Sequence, residues 1–273
     1  MGGVSPTAFL RDHPRLLVLT GAGISAASGI PTYRDHSGAW QGANPMQHGD
    51  FLASEAHRRR YWARSAVGWR RIAEAKPNAS HRALAELESH GLISRVVTQN
   101  VDGLHRRAGQ RHLIELHGSL EWVVCIDCCE KTSRESYQQE LIAGCTELAR
   151  LPAEVQPDGD AVIPDSLASK LVPPGCSRCG GVMKPDVVFF GGVVPTHTVN
   201  QVVSALSDAP ALLAIGTSLT VYSGYRFIRW MRQAGKPVAA INIGNTRADD
   251  ELDFHWREDA APLLEEMASA FSD

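Results

Sequence analysis

The stretch LLVLTGAGISAASGIPTYRD, residues 16–35, opens with an apolar run and then turns glycine-rich. Leu16–Leu19 reads as a buried strand that stops at Thr20-Gly21, where a loop of small residues begins. Gly21-x-Gly23 with Ala26 matches G-x-G-x-x-A, a strand-to-helix loop whose backbone can approach a pyrophosphate. A tight turn that merely needs small residues would look the same. A hydride-transferring enzyme also needs an acid about 20 positions further on, at the next strand end, to hold the ribose. Asp35 comes too early for that role and follows Pro31-Thr32-Tyr33-Arg34 rather than a strand.

Further strand-like runs follow the same rhythm. ISRVVTQNVDG and LIELHGSL come first, and DVVFFGG, ALLAIGTSL and PVAAINIG come late in the chain. Each ends in glycine or small polar residues, and helical patterns such as YRFIRWMRQAG lie between the later ones, the mark of βα units and a parallel sheet. SHRALAELESHG, from Ser80 to Gly91, reads as an amphipathic helix with a serine N-cap. The expected fold is α/β: a Rossmann-like parallel sheet domain from residues 1–37, 88–120 and 185–273. A helical insertion (38–87) and a cysteine-bearing insertion (121–184) form a smaller module. Ligands of such sheets sit beyond the carboxyl ends of the strands. Those ends carry Gly21-Ala22-Gly23, Gln99-Asn100-Val101-Asp102, His117, Gly216-Thr217-Ser218 and Asn242-Ile243-Gly244.

Bulk properties exclude several classes. The 273 residues suffice for one or two cored domains, with 44% hydrophobic and 21% charged residues. A formal net charge of -3 gives no general attraction to nucleic acid or anionic membranes. The basic clusters His57–Arg60 and His105–Arg107 read as solvated faces. No run approaches the roughly 20 apolar residues of a membrane helix. The N-terminal segment lacks a secretory, myristoylation or transit pattern, so the expected location is cytoplasmic.

In that compartment six cysteines point to metal or redox chemistry rather than disulfides. Cys125-x-x-Cys128 and Cys176-x-x-Cys179 are two metal knuckles, and four thiolates at this spacing suit one structural, tetrahedral zinc. Cys129 breaks the spacing, and Cys145 reads as a buried thiol. His117 stands at a strand end with Asn100 and Asp102 on the neighbouring loop, which sets it apart from His48, His81, His105, His112 and His197.

Together GAGISAASGIPTYRD, TQNVDGLHRRAG, ELHGS, the paired CxxC motifs, KPDVVFFGG, GTSL and INIG resemble, in order, the signature blocks of the sirtuins. PMQHGDF, RYWARSAVGW, PDGDAVI and VYSGYRFI are similar to class II, the subgroup of the mitochondrial sirtuin known for lipoamidase and ADP-ribosyltransferase activity. The resemblance implies that NAD is consumed as a co-substrate. Gly21, Ala22, Gly23 and Ser25 would surround its phosphates, with Arg34 in the flexible loop. Gln99, Asn100, Val101 and Asp102 would meet the nicotinamide ribose and carboxamide. Gly216, Thr217, Ser218, Asn242, Ile243 and Gly244 would hold the adenosine half.

The implied reaction is protein-lysine deacylation. The acyl oxygen attacks the nicotinamide ribose as nicotinamide leaves. His117 then acts as general base, with Asn100 and Asp102 beside it, and the acyl group passes to ADP-ribose. Protein mono-ADP-ribosylation in the same pocket is the alternative. Partners would be acylated-lysine proteins or peptides, with no direct nucleic-acid or membrane partner, and the chain is expected to be monomeric. The substrate would add as a strand between Val188, Phe189, Gly191, Gly192 and Val193 on one side and Leu219 and Val221 on the other. Three positions depart from the family pattern. Gly192 replaces an acid, Thr32 stands where aspartate is common, and Ala260 replaces a cysteine near the adenine. Tyr61-x-x-Arg64 matches the spacing of a pair that serves acidic-acyl sirtuins, but it lies about one helical turn out of register and reads as packing.

Overall fold

A computed structural model describes residues 4–32, 45–152 and 160–272. Six strands form one parallel sheet: β1 (Leu16–Thr20), β2 (Ile93–Thr98), β3 (Leu113–Glu115), β7 (Leu212–Ile215), β8 (Val238–Ile241) and β9 (Phe254–Trp256). Their spatial order is β3-β2-β1-β7-β8-β9. A second, antiparallel sheet has the order β5-β4-β6, from β4 (Gly118–Cys125), β5 (Lys131–Ser133) and β6 (Met183–Val187).

The parallel strands are apolar on both faces because helices cover both sides. Along β1, Leu16 and Val18 pack into one core with Phe9, Leu84 and Leu264, while Leu17 and Leu19 pack into the opposite core with Val202 and Phe227. The same two-residue alternation divides Leu213 and Ile215 from Leu212 and Ala214. Thus β1 is central, and its carboxyl end opens between those of β2 and β7.

Three sequence readings change. The DVVFFGG run does not join the parallel sheet. Its first residues end β6, which pairs antiparallel with β4, and Gly118 in β4 lies opposite Val187. The helix expected to begin with a Ser80 cap spans Ala79–Ser89, and Asn78 caps it by accepting from the Ser80 and His81 N–H groups. Strand β9 carries no apolar run of its own and was not legible; it forms by edge pairing with β8. His105–Arg107 is a solvated face only in part: Arg106 and Arg107 are exposed, with Arg107 donating to the Ala73, Ala75 and Asp102 carbonyls, whereas His105 is buried.

The smaller module has its own core. Phe51, Tyr61, Trp62 and Val67 from the helices His48–Ala53 and Glu55–Glu74 pack with Val123, Tyr137, Leu141 and Phe189. The helix Ala79–Ser89 instead packs under the parallel sheet through Ala83, Leu84 and Leu87. We therefore propose a division that leaves this helix with the large unit and the preceding helical residues with the cysteine module. Among the described residues, no helix is long and apolar enough to cross a membrane.

Trp62 joins the two insertions: its ring is fully buried and its Nε1 donates to the Met183 carbonyl at 3.1 Å. Trp62→Ala is expected to cost about 3–5 kcal/mol of stability, read as a lower denaturation midpoint; an unchanged midpoint would show that the insertions do not share a core.

Candidate functional site: a cleft at the carboxyl ends of the parallel strands

The glycine loop is shaped by contact with the loop after β7. The Gly23 N–H donates to the Gly216 carbonyl at 2.8 Å. A Cβ added to Gly23 would lie 2.8 Å from that carbonyl oxygen, and one added to Gly216 would lie 2.5 Å from the Ile24 nitrogen. Gly216 also sits at φ +58, so both strain and contact require glycine there. The turn Ala22–Ser28 that follows is a 3₁₀ helix rather than an α-helix.

A chain of polar groups runs along the rim from this loop. Gln99 Nε2 donates to Thr217 Oγ1 at 2.9 Å. Asn100 Nδ2 lies 3.0 Å from both the Gly21 carbonyl and Ser25 Oγ. The Ser25 hydroxyl in turn donates to Asp102 Oδ2 at 2.7 Å, and the Leu104 N–H donates to Oδ1 at 2.8 Å. Burial pushes the Asp102 carboxyl above its ordinary range, and these donors oppose that shift. Underneath, Thr20 Oγ1 meets His105 Nε2 at 2.9 Å, and the His105 ring packs edge-on to His81.

His117 is fixed from both sides. Its Nδ1 lies 2.9 Å from the Gln99 carbonyl, which can only accept, so Nδ1 carries the proton. Nε2 is thereby an acceptor, and the Ser223 hydroxyl donates to it at 2.8 Å. Burial depresses the ring's pKa, and the charge of Arg226 adds to this against the Gln99 carbonyl. The outcome is a neutral imidazole with its basic nitrogen at the cavity.

That cavity measures about 860 Å³. It is lined by Gly21, Ala22, Gly23, Ser25, Gln99, Asn100, Val101, Asp102 and His117, and by Gly216, Thr217 and Ser218. Asn242, Ile243, Gly244 and Ala260 line it beyond β8, and Val188, Phe189, Gly191, Gly192, Val193, Leu219 and Val221 at its other end. Arg34 lies outside the described residues. Val193 is 88% exposed and Val221 44%, so the edges expected to receive a substrate strand are uncovered. Arg64 does not reach the cavity: its Nε donates to the Ala161 carbonyl, and it faces Asp160. Tyr61 packs against Phe51 and Phe189, and it also lines the cavity. The sequence reading passes over Ser223 and Arg226, both in the cavity wall. Their signal was the helical pattern directly after Gly216-Thr217-Ser218, in which i, i+3 spacing places them on one face.

The four paired cysteines converge at the end of the small sheet. Their sulfurs all lie within 4.8 Å of one another, with Cys125–Cys179 at 3.5 Å and Cys128–Cys176 at 3.6 Å. Four sulfurs around zinc at about 2.3 Å stand roughly 3.8 Å apart, so the set fits one tetrahedral zinc ion with no open position. Cys129 is exposed and Cys145 buried, and neither belongs to the cluster.

A parallel sheet with a dinucleotide-type loop at its rim and an inserted four-thiolate zinc site defines a narrow class of protein, and comparison with known proteins places the chain within it. A sequence model of the Sir2 family matches residues 21–223. The NAD-dependent protein deacetylase of Bordetella bronchiseptica is 47% identical over 261 residues, covering 96% of this chain and 95% of its own. The NAD-dependent protein deacetylase 2 of Bradyrhizobium diazoefficiens is 49% identical over 244 residues, 89% of each chain. Among solved structures, Sir2 with a p53 peptide and NAD+ superposes with a TM-score of 0.78 and 29% identity over 98% of both chains. The chain belongs to the sirtuin family.

Two measurements follow from this geometry. Metal analysis is expected to give one zinc per chain, and Cys176→Ser to lose both the zinc and the folded small module; a variant that keeps its thermal midpoint without metal would contradict a structural ion. Burial also lowers the His105 pKa to about 3 and the His81 pKa to about 4. Unfolded, both take up protons near pH 6.5. Their contribution to stability is therefore full above that pH and is lost as pH falls towards the folded values. The thermal midpoint should drop between pH 7 and pH 5, and a flat profile there would contradict buried neutral histidines.

Proposed function

We propose that the protein is an NAD-dependent protein-lysine deacylase in which His117 is the general base. The observation that carries the reading is the doubly held imidazole at the junction of the two halves of the cleft. One half is the glycine-lined end that would take NAD, and the other is the uncovered edge that would take peptide. The protein's coarser function is NAD-dependent protein deacetylation. The wider acyl range and the class II assignment rest on the sequence blocks around Tyr61 and Tyr222.

NAD supplies an activated ribosyl–nicotinamide bond, and the chain supplies position and proton transfer. The backbones of Gly21, Gly23 and Gly216, freed of side chains, would admit the pyrophosphate, with Ser25 beside it. Thr217, Ser218, Asn242, Ile243, Gly244 and Ala260 would line the adenosine end. Asn100 and Asp102, held by Ser25, would orient the nicotinamide half, with Gln99 and Val101 completing the wall. His117 Nε2 accepts a proton from a ribose hydroxyl when that hydroxyl takes the place of Ser223, while the Gln99 carbonyl holds the tautomer. An acyl-lysine peptide would lie as a strand along Gly192-Val193 and Val221, which leaves recognition to backbone hydrogen bonds. Protein mono-ADP-ribosylation would use the same NAD end without a further residue. Mass spectrometry of a substrate protein separates the two by acyl loss against added ADP-ribose.

His117→Tyr should reduce acyl removal by at least about 100-fold with zinc content unchanged; retained activity would remove His117 from the base role. Because burial holds the His117 pKa down, its ring stays neutral below the ordinary histidine range. The acid limb of kcat/KM should therefore lie below pH 6.5, and a limb above it would contradict this assignment.

A further inference from the structure

Helix Tyr222–Gln233 sends Tyr222, Ser223 and, three residues after Ser223, Arg226 into the cavity wall. Ser223 is accounted for by His117. Arg226 is not. Its guanidinium lies 5.1 Å from the Phe227 ring centroid and 5.5 Å from that of Trp230. Its Nε and Nη2 are buried and have no hydrogen-bond partner. Among the described residues, no carboxylate pairs with it.

An arginine held this way is costly. A partly buried cation loses hydration, and aromatic rings return only part of that loss. The atoms left unpartnered are also specific: Nε and Nη2 share one edge of the guanidinium, the edge whose two parallel N–H groups match the two oxygens of a carboxylate. The side chain stands near enough to His117 to depress that ring's basicity, so a group bound to it would lie beside the reacting end of the cleft. The glycine loop expected to take the NAD phosphates lies on the β1 and β7 ends, whereas Arg226 shares its helix face with the residue that caps the base.

We propose that Arg226 is a specificity-determining residue that binds a carboxylate carried by the acyl-lysine substrate, through its Nε–Nη2 edge after a side-chain rotation into the cavity. The proposal rests on the deacylase reading. The carboxylate has two possible sources, the end of an acidic acyl group on the lysine or an aspartate or glutamate next to it in the peptide. Gly192 adds no charge on the opposite edge to repel either.

The test compares ratios of kcat/KM. One arm uses a neutral peptide bearing glutaryl-lysine against the same acyl group with its carboxylate replaced by a carboxamide. The other uses acetyl-lysine peptides flanked by glutamate against glutamine. The proposal expects the wild type to prefer the carboxylate by tenfold or more in one arm. Arg226→Met should lose at least tenfold of that preference, Arg226→Lys should keep part of it, and the KM for NAD should stay within twofold. Arg226→Gln replaces the methionine variant if that variant does not fold. No carboxylate preference in either arm, or a preference that survives Arg226→Met, would overturn the proposal. So would a loss confined to the KM for NAD. Fluorescence anisotropy of the same peptides without NAD tests Arg226 separately from turnover. If no peptide is deacylated, the deacylase reading fails, and the carboxylate preference in binding still decides the role of Arg226.

Discussion

The close approach of two backbones, at Gly23 and Gly216, fixes the geometry of the whole rim. Strands β1 and β7 are parallel neighbours, so their following loops leave the sheet side by side. They can pack without a gap only because neither carries a side chain at the contact, where an added Cβ would come within 2.8 Å of backbone. The hydrogen bond from the Gly23 N–H to the Gly216 carbonyl then ties the loops together. The result is a pair of bare backbone turns at the sheet's carboxyl edge, a surface suited to a flat, polyanionic ligand.

The polar chain along β2 depends on that arrangement. Asn100 and Ser25 reach each other because the loop after β1 folds back towards the loop after β2, and Asp102 is held through Ser25. One residue before Asn100, the Gln99 side chain turns to Thr217 while its carbonyl turns to His117. Gln99 thus links the dinucleotide-type loops to the imidazole. On the other side of the ring, Ser223 lies in the first turn of the helix that also carries Arg226, so one helix face serves both the base and the unpaired cation. The four-cysteine site stands apart. It organises the small sheet, whose strand β6 leads into the Val188–Val193 edge of the cleft.

Much of this was legible in the residues. The parallel sheet was readable because strands buried on both faces are apolar runs ending in glycine or small polar residues, as at Thr20-Gly21 and Ile215-Gly216. The zinc set was readable because cysteine spacing is a local property. What was hidden depended on partners distant in sequence. The apolar run Val187–Phe190 would suit a strand of either sheet, and only the pairing of β6, which ends at Val187, with β4 settles where it lies. Strand β9 exists through its register with β8. His105 looks like part of a basic cluster until Thr20, 85 residues away, is seen to receive it. The roles of Ser223 and Arg226 appear only when their helix is set against His117.

The central claim is that this rim cleaves NAD in order to take an acyl group from lysine. Its most direct test is the stoichiometry of one reaction mixture, with nicotinamide, free lysine peptide and O-acyl-ADP-ribose quantified together by chromatography and mass spectrometry. The account predicts that the three appear in equal amounts, with no reduced nicotinamide cofactor formed. Reduced cofactor, or nicotinamide release matched by ADP-ribose on protein while the acyl-lysine stays intact, would contradict it.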